Sequence, residues 1–433
     1  MATTRWLGGA VDIAQRVTIT IAGSWSTSNT VTLTCGGNDL VVTVGGDTGT
    51  ADIAEILSKA INASSRTDNL KGAESRNVGG QEINELTEVT ATVSGSVVTI
   101  TANTSGKPFT VTVAETASGS ATLATPQAAT GANFWSNVDN WSAGSAPSNG
   151  DTVIFDNGEV DVLYGLTSAI QPAVFTRTAS YTGMIGLHER NTDGQPYDEY
   201  RTTHLTFTND GGTAACAVNL AGGGSRTKID FGNAGNVTVH VTDRTQREDQ
   251  GVPEILLKGT ETDNTINVIR GDVGLGFYSE ATTWKMIRAG FDEDRDGDVD
   301  IWCGDGVSLV EIQKDGGTVH VSSNFATLTQ KAGEIIVEGA AVASGAQKIY
   351  GGIYTYNTTG TNSGTITLSG DALFDLSRDM QGKTISNPIE VYSEDVVIRN
   401  PFKVVNLVVD VNHQGALQID HGTDYRVTFA ATA

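Results

Sequence analysis

The sequence predicts a mainly β protein: a small α+β domain at the N-terminus, then a β-solenoid of the parallel β-helix kind. Three observations carry that expectation. Between residues 307 and 379 short strand-like runs follow one another with little but turns between them, from Val307-Ser308-Leu309-Val310 through Thr318-Val319-His320-Val321 to Ala372-Leu373-Phe374. The apolar centres Val310, Val319, Leu328 and Ile336 fall eight or nine residues apart, and short strands at a steady step mark sandwiches, barrels or solenoids. Most breaks, such as Lys314-Asp315-Gly316-Gly317, lack the Asn-Gly type of hairpin turn. That favours coils stacking on one another over antiparallel hairpins.

In chain order, residues 1–130 read as the α+β domain. Strands are expected over Arg16–Ala22, Thr30–Cys35 and 40–44, the last two joined by Gly36-Gly37-Asn38-Asp39. A helix follows, with Thr50 as N-cap and Asp52 in the first turn, where a carboxylate suits the helix dipole. Ile53, Ile56, Leu57, Ala60 and Ile61 form the stripe of a helix lying on a sheet. A polar segment at 64–80 reads as a loop, and strands resume at 89–93, 97–101 and 109–113 with a hairpin break at Ser94-Gly95-Ser96. Residues 114–131, rich in Ala, Thr, Ser and Gly without periodicity, read as a linker.

Residues 131–160 complete the linker and carry Trp135 and Trp141 among Asn, Ser and Gly turns, ahead of Thr152-Val153-Ile154-Phe155. The first coil of a solenoid has no neighbour to cover its core, so two indoles there can serve as a cap. A pair of sugar-binding platforms is the alternative. The solenoid itself is expected over 161–400, with charged insertions at 189–201 and 242–251. Residues 401–433 supply last strands that close the stack or pair with another subunit.

Composition limits function. At 433 residues the chain can hold two or three domains. Hydrophobic residues at 38% and charged residues at 18% exclude a disordered chain. A net charge of −23 leaves no basic stripe for nucleic acid, and no apolar run reaches the roughly 20 residues that span a bilayer. The N-terminus shows no secretory signal. Cys35, Cys216 and Cys303 lie far apart without a Cys-x-x-Cys pair, as expected of buried thiols made in a reducing cytoplasm.

For chemistry the sharpest motif is Asp292, Asp294, Asp296, Asp298 and Asp300 at alternate positions, with Gly297 after the third. Carboxylates so spaced resemble the first half of an EF-hand calcium loop, whose oxygens converge on a hard cation. The position where that loop needs a bidentate Glu holds Cys303, and no flanking helices are expected. A calcium loop outside the EF-hand fold and a solvated acidic turn both remain open. Pairs such as Asp375 with Asp379, or Glu334 with Glu338, sit at strand ends where charge is expected anyway. The six histidines show no ligand spacing, and neither a nucleophile elbow nor a phosphate loop is present. No catalytic residue, cofactor site or enzyme activity is therefore expected.

Trp6-Leu7-Gly8-Gly9-Ala10, the helix motif at 53–62 and Gly106-Lys107-Pro108-Phe109-Thr110-Val111 resemble the start of tailed-bacteriophage virion proteins. Residues 181–187, Asp198-Glu199-Tyr200-Arg201, Arg226-Thr227-Lys228-Ile229-Asp230-Phe231-Gly232, 256–260, 264–274 and 375–380 resemble a β-solenoid family of phage structural proteins. The tryptophan stretch is also similar to the lead-in of passenger β-helices on bacterial surfaces, a setting that requires export. The phage resemblance implies a virion location and a surface decoration, fibre or cement protein, homotrimeric and bound to partners such as the major capsid protein. Its alternative is a tail-associated receptor-binding or tailspike protein that recognises host glycans.

Overall fold

The computed structural model describes residues 2–46, 48–63, 84–116, 118–168, 170–188, 198–208, 215–222, 224–242, 252–276, 280–290, 299–413, 418–420 and 428–429. The polar segment at 64–80, the insertion residues 189–197 and 243–251, and residues 291–298 of the acidic run lie outside them.

The described residues are mainly β, with one α-helix, Thr50–Ala63. Two parallel sheets of fourteen and eleven strands carry most of the chain. Successive strands alternate between them: Val307–Lys314 lies in the larger, Thr318–Val321 in the smaller, Asn324–Gln330 in the larger and Glu334–Val337 in the smaller. This is an arrangement of the β-helix or solenoid kind. Leu309 pairs with Phe325 and Val319 with Ile335, so one coil takes sixteen residues there (309 to 325). The step of eight or nine residues is thus half a coil, the distance from one sheet to the other.

Val310 corrects the sequence reading, for it is 48% exposed while Val319, Leu328 and Ile336 are buried. The register of Val307–Lys314 against its neighbours skips Val310, and the neighbours skip Lys285 and Ala326 at the same place. Two consecutive residues therefore leave the core in each coil, and the strand bends. Beyond the bend a third, narrow face continues through the Phe325–Ala343 bridge and the pairing of Thr361–Asn362 with Thr384–Ile385.

A corner of the stack repeats a left-handed glycine: Gly317 (φ 67°), Gly333 (φ 71°) and Gly352 (φ 76°). A Cβ on Gly333 would strike both the Gly317 carbonyl and the Lys314 ammonium. Lys314 is itself fully buried, donating to the Gly316 carbonyl at 2.5 Å, the Ala332 carbonyl at 3.2 Å and the Gly317 carbonyl. On the next coil Gln330 occupies the same register and donates to the Gly333 and Ile353 carbonyls, each at 3.0 Å. These side chains supply donors that the turning backbone lacks, which matters because a buried unpaired carbonyl costs about 1–3 kcal/mol.

One buried cluster runs from Trp6 to Val409. At its start Trp6, Trp135 and Trp141 pack around Phe155, with ring centroids 4.8–6.2 Å apart. Asn140, fully buried, ties this cap together by donating to the Gly131 and Phe134 carbonyls, each at 2.9 Å, and accepting the Ala10 amide at 2.8 Å. All three indoles are at most 4% exposed, which leaves no ring face for sugar and removes the platform alternative at Trp135 and Trp141. From Phe155 an aromatic column continues through Phe175, Phe207, Phe231 and Trp284.

The chain's first strand also departs from expectation. Thr3–Arg5 pairs in parallel with Thr152–Phe155, so it is the end strand of the larger sheet, outside the antiparallel core. That second core is built from a four-stranded antiparallel sheet, a three-stranded one and the helix. Its fourth strand is Ser120–Gln127, which falls within the stretch read as linker and pairs with Arg16–Ala22. Its Ala and Thr side chains gave little hydrophobic signal, and pairing with a central strand decides its conformation. The body joins the solenoid through a two-chain neck, where Ile13 and Thr130 exchange backbone hydrogen bonds.

A second joint is ionic. Arg201 donates to Glu88 at 2.9 and 3.1 Å, to Glu199 at 2.7 and 3.0 Å and to the Pro108 carbonyl at 2.8 Å. Its side chain and both carboxylates are at most 8% exposed, and Tyr200 beside it packs on the antiparallel core. The guanidinium is held firmly protonated by these carboxylates despite its burial.

Arg201→Ala should cost about 3–5 kcal/mol, because the buried Glu199 loses its guanidinium and Glu88 is left to Lys107 at 2.7 Å. Restoration of part of that loss by Glu199→Gln in the same chain, measured by chemical denaturation, would identify the charge as the cause. Trp141→Ala should cost a further, separate amount of about 3–5 kcal/mol through the cavity it opens. A change below about 1 kcal/mol would contradict its role as a cap.

Candidate functional site

Strands of the smaller sheet alternate inward and outward. Val299, Ile301 and Cys303 are buried, while Asp300 and Trp302 point away from the core. In the next coil Val319 and Val321 point in, and Thr318 and His320 point out. Trp302 and His320 are in register on paired strands. Parallel strands lie about 4.8 Å apart, and the two rings accordingly stack at 5.2 Å with an 8° interplanar angle.

These rings wall a groove of about 690 Å³ that spans three coils. The turns that leave the smaller sheet complete it, with Asp305 from the first, Ser322, Ser323 and Asn324 from the second, and Glu338 and Gly339 from the third. The turns stay aligned because each starts with an amide donating to the coil before, as Ser322 does to Cys303 at 3.0 Å and Glu338 to Val321 at 2.9 Å. Among the described residues neither Asp305 nor Glu338 forms an ion pair, and the Ser323 hydroxyl, 2% exposed, has no hydrogen-bond partner. Burial pushes the Cys303 thiol up to about 12, so it offers no nucleophile. The arrangement can grip a polar ligand against an aromatic wall.

Other sequence candidates serve the scaffold. Asp375 accepts the Ser377 amide at 2.8 Å and faces Arg399 at 3.5 Å, while Asp379 holds Lys383 at 2.6 Å. Glu334 takes the Thr355 hydroxyl and Arg378, each at 2.8 Å. Of the four carboxylates weighed in those two pairs, Glu338 alone lines the groove. Asp292, Asp294, Asp296 and Asp298 lie outside the described residues. Asp300 lies on the outward face between Asp272 and Thr318 of the adjoining strands. Among the described residues no group of three or more His, Cys, Asp or Glu could hold a metal ion.

Trp302 and His320 carried no motif in the sequence. Their only trace is an eighteen-residue separation (302 to 320), the length of one coil at this point, and it becomes readable only once the register is known. Asp305 was likewise unmarked.

His204 is a buried titratable group outside the groove, with its Nδ1 3.0 Å from the Thr203 hydroxyl. Burial first, then Lys228 and Lys258, lower its pKa to about 2. Glu280 lies 3.6 Å from its Nε2 but is engaged by Lys258 at 2.9 Å. The unfolded chain binds a proton at this histidine below about pH 6.5 and the folded chain does not, so stability falls as pH drops through that value. His204→Gln should remove up to about 1.4 kcal/mol per pH unit of that slope between roughly pH 4 and 6. Denaturation midpoints with the same pH dependence in both proteins would refute this assignment.

Among the described residues no helix is long and apolar enough to cross a membrane. No protein-family model matches the chain, and no curated protein matches it in sequence.

Proposed function

We propose that the protein is a structural component of a virion surface, a decoration, fibre or cement protein in which the solenoid acts as a rigid spacer and the antiparallel α+β body as the attachment domain. The observation that carries this reading is the unbroken buried cluster from Trp6 to Val409, which makes the long stack a single stiff unit. Fourteen strands at a spacing of about 4.8 Å give a stack about 60 Å long. The second support is the way the body is fixed to it, through both a two-chain neck and the buried Arg201 pair, which suits transmission of load between the two. The virion setting rests on the phage-like scaffold motifs.

Assembly is favoured at the end where the chain begins. Among the described residues Thr3–Arg5 pairs with one strand while Ser142 covers the Arg5 amide and carbonyl, and nearby Leu7, Val11 and Val138 are 56%, 79% and 48% exposed. Exposed apolar side chains gathered at one end of a stack are a liability that symmetric association hides. A homotrimer docked on a capsid protein fits this need.

Size-exclusion chromatography with light scattering should give the mass of three chains, and small-angle scattering an elongated particle. A stable monomer at high concentration would overturn the assembly reading, and a compact scattering profile would overturn the spacer.

A further inference from the structure

We propose that the groove beside Trp302 and His320 is a saccharide-binding site selective for sugars without acidic groups. Its volume of about 690 Å³ falls in the range of small-molecule sites, which run from roughly 300 to 1,000 Å³. Its lining combines what a pyranose requires. The stacked rings offer an aromatic wall to the sugar's C–H surface. Ser322 and Asn324, whose Oδ1 already accepts the Val342 amide, bring hydroxyl and amide groups to the same groove, and the carboxylates of Asp305 and Glu338 accept hydrogen bonds from sugar hydroxyls. In the lining the buried Ser323 hydroxyl is still without a partner among the described residues.

Charge decides between classes of ligand. Among the described residues neither Asp305 nor Glu338 forms an ion pair, and the whole chain carries −23. A uronic or sialic acid would bring a like charge into a concave site, where repulsion is strongest. Nucleic acid is disfavoured for the same reason. A hard cation would need about six oxygen ligands, and among the described residues no group of three or more His, Cys, Asp or Glu could hold a metal ion. Neutral hexoses and N-acetylhexosamines meet every condition. The site does not depend on the spacer reading, since a ligand-binding monomer and a ligand-free shaft are equally coherent.

The protein contains its own reporter. Of six tryptophans, Trp6, Trp25, Trp135, Trp141 and Trp284 are at most 8% exposed, while Trp302 is half-buried at the groove. The full chain should be titrated with maltotriose and N-acetylchitotriose, then with sialyllactose and trigalacturonate, following tryptophan emission and binding heat, and screened on an array of neutral and acidic glycans. A neutral glycan should give a saturable emission change, with acidic ones silent. Glu338→Gln and Asp305→Asn, at turn positions outside the core, should each weaken binding about tenfold, the effect of one charged hydrogen bond. Absence of binding to every neutral glycan would overturn the proposal, as would equal binding of acidic ones or unchanged affinity in both variants. Particle mass and shape, read by light scattering on the same sample, keep this result separate from the spacer test.

Discussion

Parallel stacking of one coil on the next is the constraint that governs this molecule. A two-strand coil cannot cover its own apolar side chains or satisfy its own backbone, so each coil depends on its neighbours for both. The dependence explains why interior positions are so uniformly buried, and why the ends receive special treatment. At the start, three tryptophans and the buried Asn140 replace the missing neighbour. The first strand of the chain lies there too, so the stack begins before the antiparallel body intervenes in sequence.

The same constraint accounts for polar groups inside the stack. Corners turn the backbone inward, and their carbonyls need donors that the ladder does not provide. Lys314 and Gln330 fill this role on successive coils. Farther along, Tyr354, Gln347 and Asn362 form a buried network, with the tyrosine hydroxyl 2.6 Å from Gln347 and the two amides 2.8–2.9 Å apart. Such networks stabilise only when their members are paired, and they pin the register of the coils that share them.

Register also creates the groove. Stacking Trp302 on His320 follows from in-phase strands, and aligned turns bring carboxylates from coils more than thirty residues apart (305 to 338) to one concavity. A scaffold stiffened by its continuous core thereby holds a groove in place without a dedicated domain. The proposed spacer and recognition roles are compatible because they would use opposite sides of the strand, the inward residues for stiffness and the outward ones for ligand.

The sequence by itself determined the β character, the solenoid class, the helix over Thr50–Ala63 with its buried stripe and the Gly-centred corners, because each depends on residues close together in the chain. Burial of the three thiols was legible too, from their wide spacing and the lack of a Cys-x-x-Cys pair. Tertiary structure decided what depends on pairing between distant segments. It set the true coil as two half-steps, turned Val310 outward at a bend, made a strand of Ser120–Gln127 and put Thr3–Arg5 at the end of the long sheet. The Arg201 pairing with Glu88 and the Trp302–His320 groove belong to the same class, since coil lengths vary and no local pattern states which residues will share a rung.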